Sequence, residues 1–136
     1  MAATALVDTG FLVALLNRRD IHHDWAITQA ALHIAPWRTC EAVLSEAFHL
    51  VGTRGSAQLG AMVHRQMVVV AFSLPENLES VLTLMQKYAE LPMSLADACL
   101  VRMTELVPDP VLLTTDADFR IYRRHSRQVV PCVLPR

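Results

Sequence analysis

The sequence predicts an α/β protein, a parallel sheet covered on both faces by helices, and three observations point to it. Short aliphatic and β-branched runs at 4–8, 68–72 and 111–115 alternate with longer stretches of helical periodicity, the pattern that builds a parallel sheet. These runs are apolar at nearly every position, as strands buried on both faces require. The chain of 136 residues is 53% hydrophobic and 18% charged, against a usual charged share of about 25%. That composition belongs to a packed core rather than a disordered chain, and residues 1–136 are read as a single domain.

Taken in order, residues 4–8 (Thr-Ala-Leu-Val-Asp) form a buried strand ended by an Asp8-Thr9-Gly10 turn. Phe11–Leu16 are helical, and Asp20 is placed to cap a second helix over 21–34. A short strand is expected over 34–38, weakened by Pro36. A helix over 41–51 follows, then punctuation at Gly52 and Gly55, a helix over 57–67 and the strand 68–72. Pro75 opens a helix running to about Glu90, with Leu91-Pro92 as its stop. Ser94 to Val107 is helical and Pro108-Asp109-Pro110 breaks it. The strand 111–115 runs into Asp116, residues 120–127 are expected as a short helix, and 129–134 as an edge strand interrupted by Pro131.

The net charge is −1, so no global positive field attracts a polyanion, and nucleic-acid binding would have to come from a local patch. Eleven arginines against the single Lys87 favour planar, bidentate recognition of phosphate or carboxylate. The apolar excess favours a partner or a homo-oligomer. Cys40, Cys99 and Cys132 are odd in number and form no paired motif, as expected of free thiols in a reducing cytosol. No apolar run approaches the roughly 18 residues of a membrane span. The N-terminal apolar stretch contains Asp8 and is followed, not preceded, by Arg18-Arg19, the wrong charge order for secretion. The expected location is cytoplasmic.

Two strands end in an aspartate, Asp8 and Asp116. In an open parallel sheet the carboxyl ends of strands share one edge, where ligands bind, so neighbouring strands would bring the two acids together. Strand-ending aspartates are also common turn formers. Glu46 falls at the boundary between an apolar face (Val43, Leu44, Ala47, Phe48, Leu50, Val51) and the polar stripe of Ser45, His49 and Thr53. A carboxylate there is partly desolvated, which suits either an edge residue or a functional acid. Asp97 occupies the third position after Ser94, a capping position in its own right, within a turn packed by Leu95, Ala96, Ala98 and Leu100. Four carboxylates in one cleft oppose each other's ionisation. A divalent cation resolves that conflict, and all-oxygen ligands suit Mg²⁺ or Mn²⁺ rather than zinc.

The chain resembles the PIN-domain nucleases, most closely the VapC-type toxins of toxin–antitoxin pairs. The matching segments are Leu6-Val7-Asp8-Thr9-Gly10-Phe11-Leu12-Val13-Ala14-Leu15, Val43-Leu44-Ser45-Glu46-Ala47, Ser94-Leu95-Ala96-Asp97-Ala98 and Leu113-Thr114-Thr115-Asp116-Ala117-Asp118-Phe119. They stand in the family's order and spacing and span essentially the whole chain. The resemblance implies a three-layer α/β/α fold and an acidic pocket for one or two metal ions, with Asp8, Glu46, Asp97 and Asp116 as the acids. Metal ligation falls to Asp8, Asp97 and Asp116, hydroxyl support to Thr9 and Thr115, and an accessory place to Asp118. Gly10 replaces the small polar residue often found there. The implied activity is Mg²⁺-dependent RNA cleavage, with a cognate antitoxin and a homodimer as partners; the alternative is a non-catalytic PIN-fold module that binds RNA or protein.

Arg120, Arg123, Arg124 and Arg127 recur at i, i+3, i+4 and i+7, so a helix there would present a basic stripe beside the acids, suited to phosphates or simply to solvent. Trp25, Trp37 and Tyr122 are candidates for base stacking or for the core.

Overall fold

The fold, obtained as a computed structural model, describes residues 3–136. Strand β1 (Thr4–Val7) lies at the centre of a five-stranded, wholly parallel sheet of order β3-β2-β1-β4-β7. Its neighbours are β2 (Trp37–Thr39) on one side and β4 (Pro110–Leu113) on the other, with Leu6 in register with Arg38 and Leu112. Beyond them lie β3 (Val68–Val70) and β7 (Cys132–Val133) at the two edges. Helices α1 (Thr9–Leu16), α2 (His23–Leu32), α3 (Glu41–Leu50), α4 (Gly52–His64), α5 (Leu78–Lys87) and α6 (Leu95–Leu106) flank the sheet in a helix–sheet–helix sandwich, as the sequence predicts.

The chain first builds outward from β1 to β2 and β3, then returns to place β4 on the opposite side of β1. The order therefore reverses between β1 and β4, and the crevice beyond the carboxyl ends of those two strands is where an open α/β sheet binds ligands. Asp8 follows β1 immediately. Thr114 and Asp116 follow β4.

Leu6, Val7, Leu112, Leu113 and Val68 are fully buried strand residues, covered by Phe11, Leu12, Val43, Ala47, Leu59, Leu100 and Met103 from the helices. Phe11 sits edge-on to Trp25 and Trp37, at 5.9 and 5.4 Å between ring centroids. Trp37 and Tyr122 are buried, so both belong to the core rather than to a stacking platform.

Several boundaries depart from expectation for local reasons. Asp8 accepts the Thr9 amide N–H and is itself the N-cap of α1, so helix follows strand with no turn between. Asp20 uses its carboxylate on the His22 amide, at 2.8 Å, and α2 starts only at His23. Gly52 does separate two helices, standing between α3 and the body of α4 with a φ of 72°, open to glycine at no steric cost, whereas Gly55 lies inside α4 and breaks nothing. Pro75 initiates a 3₁₀ turn (Pro75–Asn77) that leads into α5. Pro131 divides the last strand: Gln128–Val129 pairs elsewhere, and only Cys132–Val133 joins the sheet, at the edge.

The largest departure is at 120–127. The expected helix is a 3₁₀ turn (Ala117–Arg120) followed by an antiparallel hairpin of β5 (Arg123–Arg124) and β6 (Gln128–Val129). The Arg123 guanidinium donates to the carbonyls of Arg120, Ile121 and Tyr122, acceptors that a continuing helix would need for its own amides. Positive φ at His125 and Ser126 then turns the chain back.

Because Leu6 sits fully buried in the central strand, Leu6→Ala is expected to lower unfolding stability by about 2–5 kcal/mol, read as a shift of the denaturation midpoint at unchanged slope.

Candidate active site

Asp8 is the most constrained acid in the chain. Its backbone N–H donates to Leu113 O at 3.1 Å, tying the end of β1 to β4. One carboxylate oxygen accepts from the Thr9 amide at 2.7 Å, the other from the Thr114 hydroxyl at 2.7 Å. With 6% of its surface exposed, the acid is pushed up to about 7, first by burial and further by Asp97 and Asp116, against the opposing hydrogen bonds.

Thr114 is fully buried and connects two acids, because its oxygen also accepts the Asp116 amide at 3.0 Å. Asp116 in turn caps the 3₁₀ turn, accepting from the Asp118 amide at 2.9 Å. Asp97 stands in the first turn of α6, whose cap is the Ser94 hydroxyl accepting the Asp97 amide at 3.0 Å. Burial raises its pKa first and Asp116 adds to the rise, offset by hydrogen bonds from Ser94 and Tyr122. The Tyr122 hydroxyl donates to Asp97 at 3.2 Å. Tyr122 is fully buried between Tyr88 and Phe119, and its phenol is pushed up by burial and then by the Asp97 carboxylate.

Three of the four expected acids therefore act on one another electrostatically: Asp8, Asp97 and Asp116. Glu46 is exposed on α3 rather than partly desolvated, because Val43 and Ala47 take the buried positions of that helix. Its helix still abuts the head of α1, where the Thr9 hydroxyl reaches Val43 O at 3.5 Å. Thr9 supports Asp8 through its amide, not its hydroxyl. Thr115, expected to supply hydroxyl support, faces Gly10, and the buried neighbour Thr114 does that work. A Cβ on Gly10 would lie 2.0 Å from Thr115 Oγ1, so glycine here is a requirement of packing. Asp118 is half-buried beside the cluster and contributes to the Tyr122 shift.

Thr114 and Tyr122 escaped the sequence reading in this role. The doubled threonine before Asp116 gave no sign of which hydroxyl points inward. Tyr122 drew notice only as an aromatic, since its partner lies 25 residues away.

The four arginines do not form a stripe. Arg123 caps backbone carbonyls, and Arg124 donates to Thr104 O and Gln128 Oε1. Arg120 and Arg127 remain exposed.

Among the described residues no group of three or more His, Cys, Asp or Glu side chains is arranged to hold a metal ion. The donor set nonetheless fits a hard cation. All donors are carboxylate oxygens, and among the described residues no cation pairs with the buried Asp8 to favour its ionised form. Mg²⁺ in particular binds through one or two carboxylates and keeps several waters, with no need of a complete protein cage.

The chain matches the PIN domain family over residues 5–124. No curated protein matches it.

Two outcomes follow. In chelator, native Asp8 stays protonated to about pH 7 while the unfolded acid ionises near 3.8. Across that window the native state holds more protons, so stability falls as pH rises, by on the order of 4 kcal/mol in full; Asp97 acts in the same direction. Asp8→Asn is expected to flatten this dependence and to exceed the parent in stability at pH 8, as read by denaturant midpoints from pH 4 to 8. Gly10→Ala should cost about 1–3 kcal/mol by displacing Thr115, and adding Thr115→Ala should recover most of the loss, a coupling visible in a double-mutant cycle.

Proposed function

The chain belongs to the PIN-domain family, a nuclease fold, and from that premise we propose that it is a metal-dependent endoribonuclease hydrolysing RNA phosphodiester bonds. The observation that carries the proposal is the convergence of Asp8, Asp97 and Asp116 at the strand-order reversal, with Asp8 buried and raised to about 7. Such a cluster calls for positive charge, and a phosphodiester under attack needs positive charge at the same place.

Asp8, Asp97 and Asp116 would hold the ion, with Glu46 at the exposed margin to position water or a second ion. A bound Mg²⁺ or Mn²⁺ supplies an activated water at neutral pH and neutralises charge on the phosphoryl oxygens. The chain's own contribution is orientation. The Thr9 amide and Thr114 hydroxyl occupy one lone pair on each Asp8 oxygen and leave the others free. Tyr122 fixes one oxygen of Asp97. Thr114 sets the Asp8–Asp116 relation through a single hydroxyl. No side chain need act as a nucleophile.

The resemblance to VapC-type toxins supports a role as the toxin of a type II toxin–antitoxin pair, acting in the cytoplasm. The exposed Ile21, Leu32 and Ile34 at the two ends of α2, at 90%, 68% and 84%, support an antitoxin or second-copy contact, because so much exposed apolar side chain favours a partner. Among the described residues no helix is long and apolar enough to cross a membrane.

The test is incubation with total RNA with and without Mg²⁺, followed by mapping of the cut ends. Cleavage is expected only with the ion, and Asp8→Asn is expected to abolish it while leaving the circular dichroism spectrum intact. Full metal-dependent cleavage by that variant, or cleavage insensitive to chelator, would rule the assignment out.

A further inference from the structure

A second cleft opens at the far end of α1, with a volume of about 550 Å³, lined by Leu16, Asn17, Arg18, Arg19, Val51, Arg54, Gly55 and Gln58. Three guanidiniums border it and no acid does. None of the three donates a side-chain hydrogen bond or enters an ion pair among the described residues, where Arg102–Glu105 is the ion pair formed. In a chain of net charge −1, this is a local concentration of uncompensated positive charge.

Arg18 and Arg19 follow the carboxyl end of α1, where cations complement the helix dipole. That accounts for two of the arginines, but not for Arg54, which comes from α4 and converges on the same cleft. The apolar floor is small, Leu16 and Val51, and is closed by contact with Gly55, at which a Cβ would lie 2.6 Å from Val51 Cβ. A side chain at position 55 would thus push Val51 out of place. So polar a cleft suits an anion with planar, bidentate oxygens better than an amphipathic helix, which needs apolar anchors.

We infer that this cleft is a subsite for the RNA backbone, taking phosphates of the strand whose scissile bond lies at Asp8. The inference rests on the ribonuclease reading above. Helix α1 runs from Thr9, directly after its N-cap Asp8, to Leu16, and its eight residues span about 12 Å, or roughly three to four stacked nucleotides at 3.4 Å each. One rigid helix therefore carries the catalytic acid at its head and the arginine cleft at its tail, and sets a fixed distance between the scissile phosphate and its anchor. Cleavage would then favour substrates long enough to reach both.

The test uses the full chain carrying Asp8→Asn, in chelator, so that binding is read without cleavage. Probes are labelled oligouridylates of two and twelve nucleotides. Arg18→Ala with Arg54→Ala is expected to weaken binding of the 12-mer roughly tenfold and to lower the slope of log affinity against log salt by about 1–2, with the dinucleotide unaffected. Arg18→Lys with Arg54→Lys keeps the charge and should restore the salt slope. Unchanged affinity and slope for the 12-mer would overturn the subsite. So would an arginine-dependent affinity for polyglutamate with RNA binding unaltered, which would assign the cleft to an acidic protein segment. The two readings fail separately. Absence of cleavage by the parent chain with every divalent ion, alongside arginine-dependent binding, would sink hydrolysis and keep the subsite; cleavage with arginine-independent binding would do the reverse.

Discussion

A carboxylate buried at the end of the central strand sets the terms for the rest of this molecule. Asp8 lies where β1 stops and α1 starts, and its two oxygens serve different masters. One caps the helix through the Thr9 amide, and the other receives the Thr114 hydroxyl from the neighbouring strand. Burying such a group is unfavourable in proportion to its charge, which is why its pKa rises to about 7. Two neutral donors only partly offset that cost. The acid is thus a structural cap and an electrostatic demand at once, and the demand is what a cation would meet.

The other acids are placed by the same economy of contacts. Thr114 joins Asp8 to Asp116 through a single hydroxyl. Asp97 is held from the opposite side by Tyr122, and Tyr122 reaches it because the chain after Asp116 folds into a 3₁₀ turn and hairpin rather than a helix. Arg123 secures that geometry by occupying the carbonyls that a helix would use. Residues with the look of substrate binders, Arg123 and Tyr122, therefore act as positioning groups, through one guanidinium nitrogen of Arg123 and the Tyr122 hydroxyl.

Much of the fold was legible beforehand. Apolar strands ending in Asp8 and Asp116, and the alternation of strands with helices, required a parallel sheet whose carboxyl edge gathers acids. The site was legible in part. Asp8, Asp97 and Asp116 lie close enough to raise one another's pKa, while Glu46 is exposed where the helical wheel suggested partial burial. The wheel reports hydrophobic direction, but how closely a neighbouring element covers the edge of that face is a property of packing. The arginine spacing was misleading for a related reason: an i, i+3, i+4, i+7 pattern fits a helix only if the backbone amides and carbonyls are left to pair with each other.

What the sequence determined by itself was local and periodic: which segments are apolar, where Ser94 caps a helix, and which acids end strands. These depend on residues within a few positions of one another, so the linear order contains them. Tertiary structure alone decided that Thr114 rather than Thr115 holds Asp8, that Tyr122 holds Asp97, and that Arg18, Arg19 and Arg54 share a cleft. Each of these is a contact between elements distant in the chain. Which side chain fills it is fixed only when the sheet register and the helix packing bring the partners within hydrogen-bonding or electrostatic range.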